Sequence, residues 1–212
     1  MLRRRLQMAG NGGVPEWRQH LQPCEYIKGD GNSYIDTKVI SDLLTDIEVI
    51  ADLTDVNDGY LIGARKGGTE HLALYVTGGT EIIWLPWNGI SSGNLKHFDY
   101  SNKINAQISK SPKKCSVNNV ELTYTNSIPN NNHSLLIFKD TNTAAGNYFK
   151  GGIQQVNTNL YKMLSCYVID EYEDNKGNVC SSGVSGMVDV LTGIFYTNDG
   201  TGTFSHGGDI EI

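Results

Sequence analysis

The sequence lacks the features of several large protein classes. None of its 212 residues lie in an apolar run of transmembrane length, so no membrane insertion is expected. Outside the first residues, no stretch of about 11 residues or more has the period of an amphipathic helix. The 4 cysteines show neither C-x-x-C spacing nor metal-type pairing with histidine. Separate thiols and no metal site are therefore predicted.

Sequence motifs for nucleophilic catalysis and for phosphate binding are also absent. There is no G-x-S-x-G turn, each of the 5 histidines stands alone, and no glycine-rich stretch has phosphate-loop spacing. No catalytic residue and no cofactor are therefore predicted. The basic residues at positions 3–5 are not followed by the apolar segment of a secretory signal. We therefore expect synthesis in a cytoplasm that keeps the thiols reduced.

Charge is distributed unevenly along the chain. The first 20 residues hold four arginines against one glutamate, which leaves 13 basic and 22 acidic groups, a net charge of −9, for the other 192 residues. Most of the surface is therefore acidic, and nucleic-acid binding by the body is not expected.

From residue 25 onward the pattern is that of strands and turns. In residues 45–53 the side chains of Ile47, Val49, Ala51 and Leu53 share one face. Further strands are predicted at residues 60–65, 71–76, 80–85, 103–109, 120–125 and 134–139, with glycine- and asparagine-rich turns between them. Residues 161–169 are apolar on both faces, which is typical of a central strand. The pattern predicts an all-β, antiparallel two-sheet jelly-roll sandwich.

Four short stretches carry a resemblance to a known superfamily. They are Glu25-Tyr-Ile27, Ser33-Tyr-Ile-Asp-Thr37, Ile62-Gly-Ala-Arg65 and the strand-and-turn stretch 186–204, which ends in Phe-Tyr-Thr-Asn-Asp-Gly-Thr-Gly-Thr-Phe. In this order they resemble a branch of the concanavalin A-like lectin/glucanase superfamily that is common in bacteriophage structural and bacterial surface proteins. The resemblance implies a concanavalin A-like jelly roll. We assign residues 24–208 to this domain, 1–23 to a basic arm and 209–212 to a short acidic tail.

The laminarinase-type relatives hydrolyse β-glucans with paired carboxylates on one face of a strand. The nearest stretch here places Asp46, Glu48 and Asp52 on one face, but Ile50 stands at the position that a paired carboxylate would need. The acidic run 170–174 leads into Asn-Lys-Gly-Asn and is typical of a hairpin turn. We interpret both clusters as solvated polar groups.

Trp84, Trp87 and Asn88 are candidate glycan-binding residues. Exposed indoles stack on the apolar faces of sugar rings, and side-chain amides bond to sugar hydroxyls. In the alternative interpretation Trp84 lies in the core and Trp87 holds a loop in place.

The arm is a candidate assembly anchor. Arg3, Arg4 and Arg5 are suited to an acidic surface. Trp17 is a large apolar side chain in an otherwise glycine- and proline-containing segment, and it is expected to pack either on its own domain or on a partner subunit. We expect residues 1–23 to be ordered by contact with another subunit. A flexible tail on a monomer is the alternative, and a homo-oligomer stays open.

Two functional hypotheses follow. The first is a non-catalytic structural or adhesion module of a bacteriophage virion, as a capsid decoration, head fibre or tail component assembled in the host cytoplasm. Its partners would be other virion subunits and host-surface glycans. The second is a glucanase-like glycoside hydrolase or a bacterial surface carbohydrate-binding protein.

Overall fold

The described residues form strands joined by turns in a computed structural model. The description covers residues 14–54, 56–66, 70–77, 80–88, 95–125, 132–139 and 148–212, without the side chains of residues 65, 66, 70, 71 and 86–88. Within these ranges the only helical segments are two short 3-10 helices, η1 (Glu16–Gln19) and η2 (Ser41–Leu43). The prediction that the chain is all-β is confirmed.

The strands are numbered in chain order. They are β1 (Leu21–Pro23), β2 (Ile27–Gly29), β3 (Ile35–Ile40), β4 (Asp46–Asp52), β5 (Gly59–Lys66), β6 (Glu70–Thr77), β7 (Glu81–Asn88), β8 (Lys96–Asp99), β9 (Lys103–Lys110), β10 (Lys113–Val117), β11 (Val120–Thr123), β12 (Ser134–Ile137), β13 (Gly152–Thr158), β14 (Lys162–Val168), β15 (Tyr172–Glu173), β16 (Val179–Cys180), β17 (Ser185–Asp189), β18 (Ile194–Tyr196) and β19 (Phe204–His206).

Two large sheets contain all of these strands except β15 and β16, which pair with each other as a hairpin. The larger sheet has the order β11-β10-β9-β4-β13-β14-β17-β18, with β1 paired to β14, β2 to β13 and β19 to β2. The smaller sheet has the order β3-β12-β5-β6-β7-β8. Every pairing between these strands is antiparallel, as predicted.

The two sheets contribute to one shared core. On β4 the residues Ile47, Val49 and Ala51 are buried and alternate with residues that are partly or fully exposed, as their spacing predicts. They belong to the same buried cluster as Leu72 and Leu74 from β6 of the smaller sheet. One face of each sheet is therefore closed by the other, in a sandwich-like arrangement.

A second core lies on the outer face of the larger sheet. Strand β14 sends Met163 into the shared core and Leu164 to the opposite side, where a separate cluster forms. This second core contains Trp17 from η1, which is 4% exposed, and Phe195 from β18. Cys180 from the β15–β16 hairpin also belongs to it. The prediction that β14 is a central strand with two apolar faces is confirmed, because both of its faces are covered.

The N-terminal boundary at residue 24 is wrong. Residues 21–23 form β1, which pairs with β14, and Trp17 is buried against its own chain. The segment 209–212 is not a separate tail either, because the Ile210 N–H donates to the Pro23 carbonyl at 3.1 Å and Arg18 Nη1 donates to the Ile212 carbonyl at 2.8 Å. Residues 17–23 therefore belong to the domain, because Trp17 is buried in the second core and β1 pairs with β14. The glycine and proline content of residues 1–23 had indicated an arm.

Replacing Trp17 should therefore destabilise the domain strongly. For Trp17→Ala we expect the free energy of unfolding to fall by roughly 3–5 kcal/mol, because the substitution removes the largest side chain of the second core. Urea unfolding followed by circular dichroism measures this change. Val14→Ala, at a position that is 65% exposed, is the control and should change it by less than about 0.5 kcal/mol. Equal stability of the two variants would contradict this assignment.

Candidate functional site

The other half of the larger sheet leaves its outer face open and polar. Strand register places Asn157, Glu48, Gln107, Ser116 and Glu121 side by side across β13, β4, β9, β10 and β11. All five point away from the shared core because they alternate with its members along each strand. We call this surface, the outer face of β2, β13, β4, β9, β10 and β11, the open face.

Glu48 is the best-connected carboxylate of the open face. Its Oε1 accepts hydrogen bonds from Asn105 Nδ2 at 2.9 Å and from Gln107 Nε2 at 3.0 Å, and its Oε2 accepts one from Asn157 Nδ2 at 2.8 Å. Partial burial opposes ionisation of Glu48, but the three amide bonds outweigh it and lower its pKa below the ordinary glutamate value. Glu48 is therefore held as a carboxylate at neutral pH.

The neighbours of Glu48 on β4 are arranged as predicted. Asp46, Ile50 and Asp52 lie on the same face of the strand as Glu48, with Ile50 between Glu48 and Asp52. At the Asp46 end, a cavity of about 290 Å³ is lined by side chains of β4, β9, β10 and β11, and Lys114 Nζ lies 2.7 Å from Glu121 Oε1 at its edge. This end offers hydroxyl, amide, ammonium and carboxylate groups to a polar ligand.

The amide residues that hold Glu48 were not among the sequence candidates. Asn105 and Gln107 occupy alternate positions of β9, and Asn157 occupies the outward position of β13 opposite Glu48. The alternation of amide residues with apolar residues along β9 could have indicated from the sequence that these amides face outward. The sequence could not indicate that β4 pairs with both β9 and β13, because strand order cannot be obtained from period-two alternation.

The acidic run 170–174 contains one buried carboxylate. The predicted hairpin is confirmed, with β15 and β16 joined through residues 174–178. Asp174 is 2% exposed and accepts hydrogen bonds from the backbone N–H groups of Lys176 and Asn178 and from Thr197 Oγ1 at 2.8 Å. Burial opposes its ionisation, but these bonds prevail and lower its pKa. The interpretation as a solvated group is wrong for Asp174, which closes the turn.

Polar side chains of the C-terminal stretch bind backbone groups of the early stretches. Asn198 Oδ1 accepts from the Tyr34 N–H at 3.0 Å, and Asp199 Oδ2 accepts from the Asp36 N–H at 2.8 Å. Strand β19 pairs with β2, so the stretches at residues 25–27, 33–37 and 186–204 meet in space. Their polar residues hold loops together and are occupied by that role.

Trp84 is a core residue, as the alternative interpretation has it, so this glycan candidate is not accessible to a ligand. It is fully buried in the shared core, and its Nε1–H donates to the Ser116 carbonyl of the opposite sheet at 3.2 Å. The backbone of Trp87 and Asn88 lies in the last part of β7, while their side chains lie outside the description. β8 begins at Lys96, opposite Trp84, so among the described residues Pro86 has a strand partner on the β6 side only, which suits a residue without an N–H.

The remaining candidates give no site in the described part of the chain. Arg3, Arg4 and Arg5 lie outside it. Among the described residues, no group of three or more histidine, cysteine or acidic side chains is arranged to hold a metal ion. No helix in the same ranges is long and apolar enough to cross a membrane.

The sequence matches no protein-family model, and its comparison with curated proteins gave no match either.

The pKa of Glu48 should depend on its amide neighbours. For Asn157→Ala we expect the Glu48 pKa, measured by carboxyl-detected NMR, to rise towards the ordinary value of about 4.3. Because the folded-state pKa is lowered, the stabilisation from these bonds is fully present above the ordinary pKa and is lost as the pH falls through the folded value. Thr123→Ala, on the nearby strand β11, is the control and should leave the titration unchanged. An unaltered pKa in Asn157→Ala would refute this coupling.

Proposed function

We propose that the chain is a non-catalytic structural or adhesion module of a bacteriophage virion. It is built as an antiparallel jelly roll of concanavalin A-like type, and its adhesion surface is the open face. Other virion subunits and host-surface glycans are its partners. The observation that carries the proposal is the division of the larger sheet into a covered apolar half and an uncovered polar half.

The jelly-roll assignment is supported by the way in which the resembling stretches meet. They are far apart in sequence, yet Asn198 and Asp199 bond to the backbone of residues 34–36, and β19 lies beside β2. Side chains that replace backbone partners in this way fix loop positions in a sandwich whose ends are otherwise irregular. The resemblance thus follows residues with a structural role, which suits a shared fold with variable function.

The absence of catalysis is supported by the chemistry of Glu48. Hydrolysis of a glycoside needs a carboxylic acid whose pKa is raised so that it retains its proton near neutral pH. The amide bonds to Glu48 lower its pKa, and Ile50 separates it from Asp52 on the same strand. A carboxylate held by amides is suited to accepting hydrogen bonds from hydroxyl groups, which is binding chemistry.

The anchoring role in this proposal falls to residues 1–13. Trp17 is occupied by the second core of its own domain, so the cations Arg3, Arg4 and Arg5 remain as the proposed contact to an acidic surface of a neighbouring subunit. Many copies on a particle lattice would add avidity to weak single contacts.

The purified protein should release no reducing sugar from laminarin or lichenan. A reducing-end assay with a laminarinase as positive control measures this. Sugar release that disappears in Glu48→Gln would overturn the non-catalytic assignment, since it would give Glu48 a catalytic role.

The protein should be found by mass spectrometry in purified phage particles. Deletion of residues 2–13 should reduce incorporation at least about tenfold, because avidity multiplies the loss of each weak contact. The deletion should leave the unfolding midpoint unchanged, since Trp17 and β1 are retained. The triple variant Arg3→Gln, Arg4→Gln, Arg5→Gln separates charge from length. Normal incorporation of both variants would show that the anchor lies elsewhere.

A further inference from the structure

The half-buried ring of Tyr26 rests directly on the backbone of the larger sheet. A Cβ atom at Gly152 would lie 2.8 Å from Tyr26 Cγ, and one at Gly207 would lie 2.9 Å from Tyr26 Cε1. Carbon atoms in favourable contact are about 3.5–4.0 Å apart, so a side chain at either position would displace the ring. Two glycines on two different segments thus allow one aromatic ring to lie close to the backbone on the open face.

Two oppositely charged residues flank this ring. Lys28, Gly152 and Asp52 are direct neighbours across β2, β13 and β4. Since neighbouring strands are about 4.8 Å apart, the backbones of Lys28 and Asp52 stand about 10 Å apart with the glycine between them. The ring of Tyr26 lies over that glycine. These four residues and Thr54 line a cavity of about 190 Å³.

The polar groups of this cavity are largely unused within the fold. Asp52 Oδ1 accepts from the Thr54 N–H at 2.9 Å, and this is its one hydrogen bond to the described residues. The Tyr26 hydroxyl and Lys28 Nζ have no hydrogen-bond partner or ion pair among the described residues. The cavity therefore presents an aromatic surface, a cation that donates, a carboxylate oxygen that accepts and a phenol that does either.

We infer that this cavity is a saccharide-binding site that takes one pyranose ring of a host-surface glycan. The apolar face of the sugar stacks on Tyr26, Lys28 Nζ donates to a ring or hydroxyl oxygen, and the free oxygen of Asp52 accepts from a hydroxyl group. The inference rests on the proposed adhesion function and gives it a location.

The chemistry favours a sugar over other ligands. A phosphate or another dianion would meet the negative charge of Asp52, and a cation would meet that of Lys28, whereas a polyol satisfies both groups without carrying charge. The cavity of about 190 Å³ and its single aromatic ring suit a pyranose, which presents one apolar C–H face, better than a bulky apolar side chain. The candidate at Trp87 lies on β7 in the smaller sheet, so the two locations can be distinguished.

The test is an amide NMR titration of the full chain with cellotriose, mannotriose, chitotriose and lactose. We expect at least one of these saccharides to shift the amide signals of Tyr26, Thr54 and Gly152. Its affinity should fall about tenfold in Tyr26→Leu, which removes the stacking surface, and stay within about threefold in Tyr26→Phe, which retains it. Lys28→Gln keeps the ring and should also weaken binding. This variant therefore still tests the site if Tyr26→Leu does not fold.

The outcomes separate this site from the proposed function as a whole. Binding that is lost in Trp87→Ala but retained in Tyr26→Leu and Lys28→Gln would overturn the Tyr26 site and leave glycan adhesion standing. If none of the four saccharides shifts the amides of Tyr26, Thr54 and Gly152, the site is overturned as well. Release of reducing sugar from laminarin would instead refute the non-catalytic function, whichever residues bind the glycan.

Discussion

The larger sheet has to cover apolar residues on both of its faces, and the rest of the structure depends on how it does so. Its inner face is closed by the smaller sheet across a common core. Half of its outer face is closed by Trp17, by the β15–β16 hairpin and by neighbouring apolar side chains. The other half needs no such cover because most of its outward residues are polar, with Ile50 on β4 as an exception. Burial thus determines both where the domain begins and which surface is left for a ligand.

Side-chain carboxylates and amides then fix the loops between the strands. Asp174, Asp189 and Asn198 each accept hydrogen bonds from backbone N–H groups that no strand partner satisfies. An unpaired backbone group costs free energy when it is buried, so these side chains stabilise the turns that carry them. The ladder between β19 and β2 places Gly207, which follows β19, against the ring of Tyr26. The geometry of the proposed saccharide site therefore depends on the pairing of β2 with both β13 and β19.

Local patterns predicted the strands well and the surfaces less well. Alternation on β4 and the two apolar faces of β14 follow from side-chain period, because a strand places successive residues on opposite sides. The side-chain period does not tell which part of an outer face is covered by another segment. The role of Trp17 as such a cover was therefore not predicted, and its segment was interpreted as an arm. Period also does not tell which tryptophan lies between the sheets, so Trp84 remained a glycan candidate beside the alternative that places it in the core. The setting of Tyr26 depends on glycines about 126 and 181 residues away in sequence, and no local pattern contains them.

The central claim is that the open face of the larger sheet binds host-surface glycans, while the half covered by the second core has a structural role. Hydroxyl-radical footprinting of the protein, free and bound to host-cell envelopes, tests this claim most directly. Protection of Tyr26 and Ile50, both on the open face, is the predicted result. Leu191, which is 62% exposed in the turn between β17 and β18, should remain reactive in both states. Protection of Leu191 with Tyr26 and Ile50 unchanged would contradict the account, since binding would then use the end of the sandwich and leave the open face free.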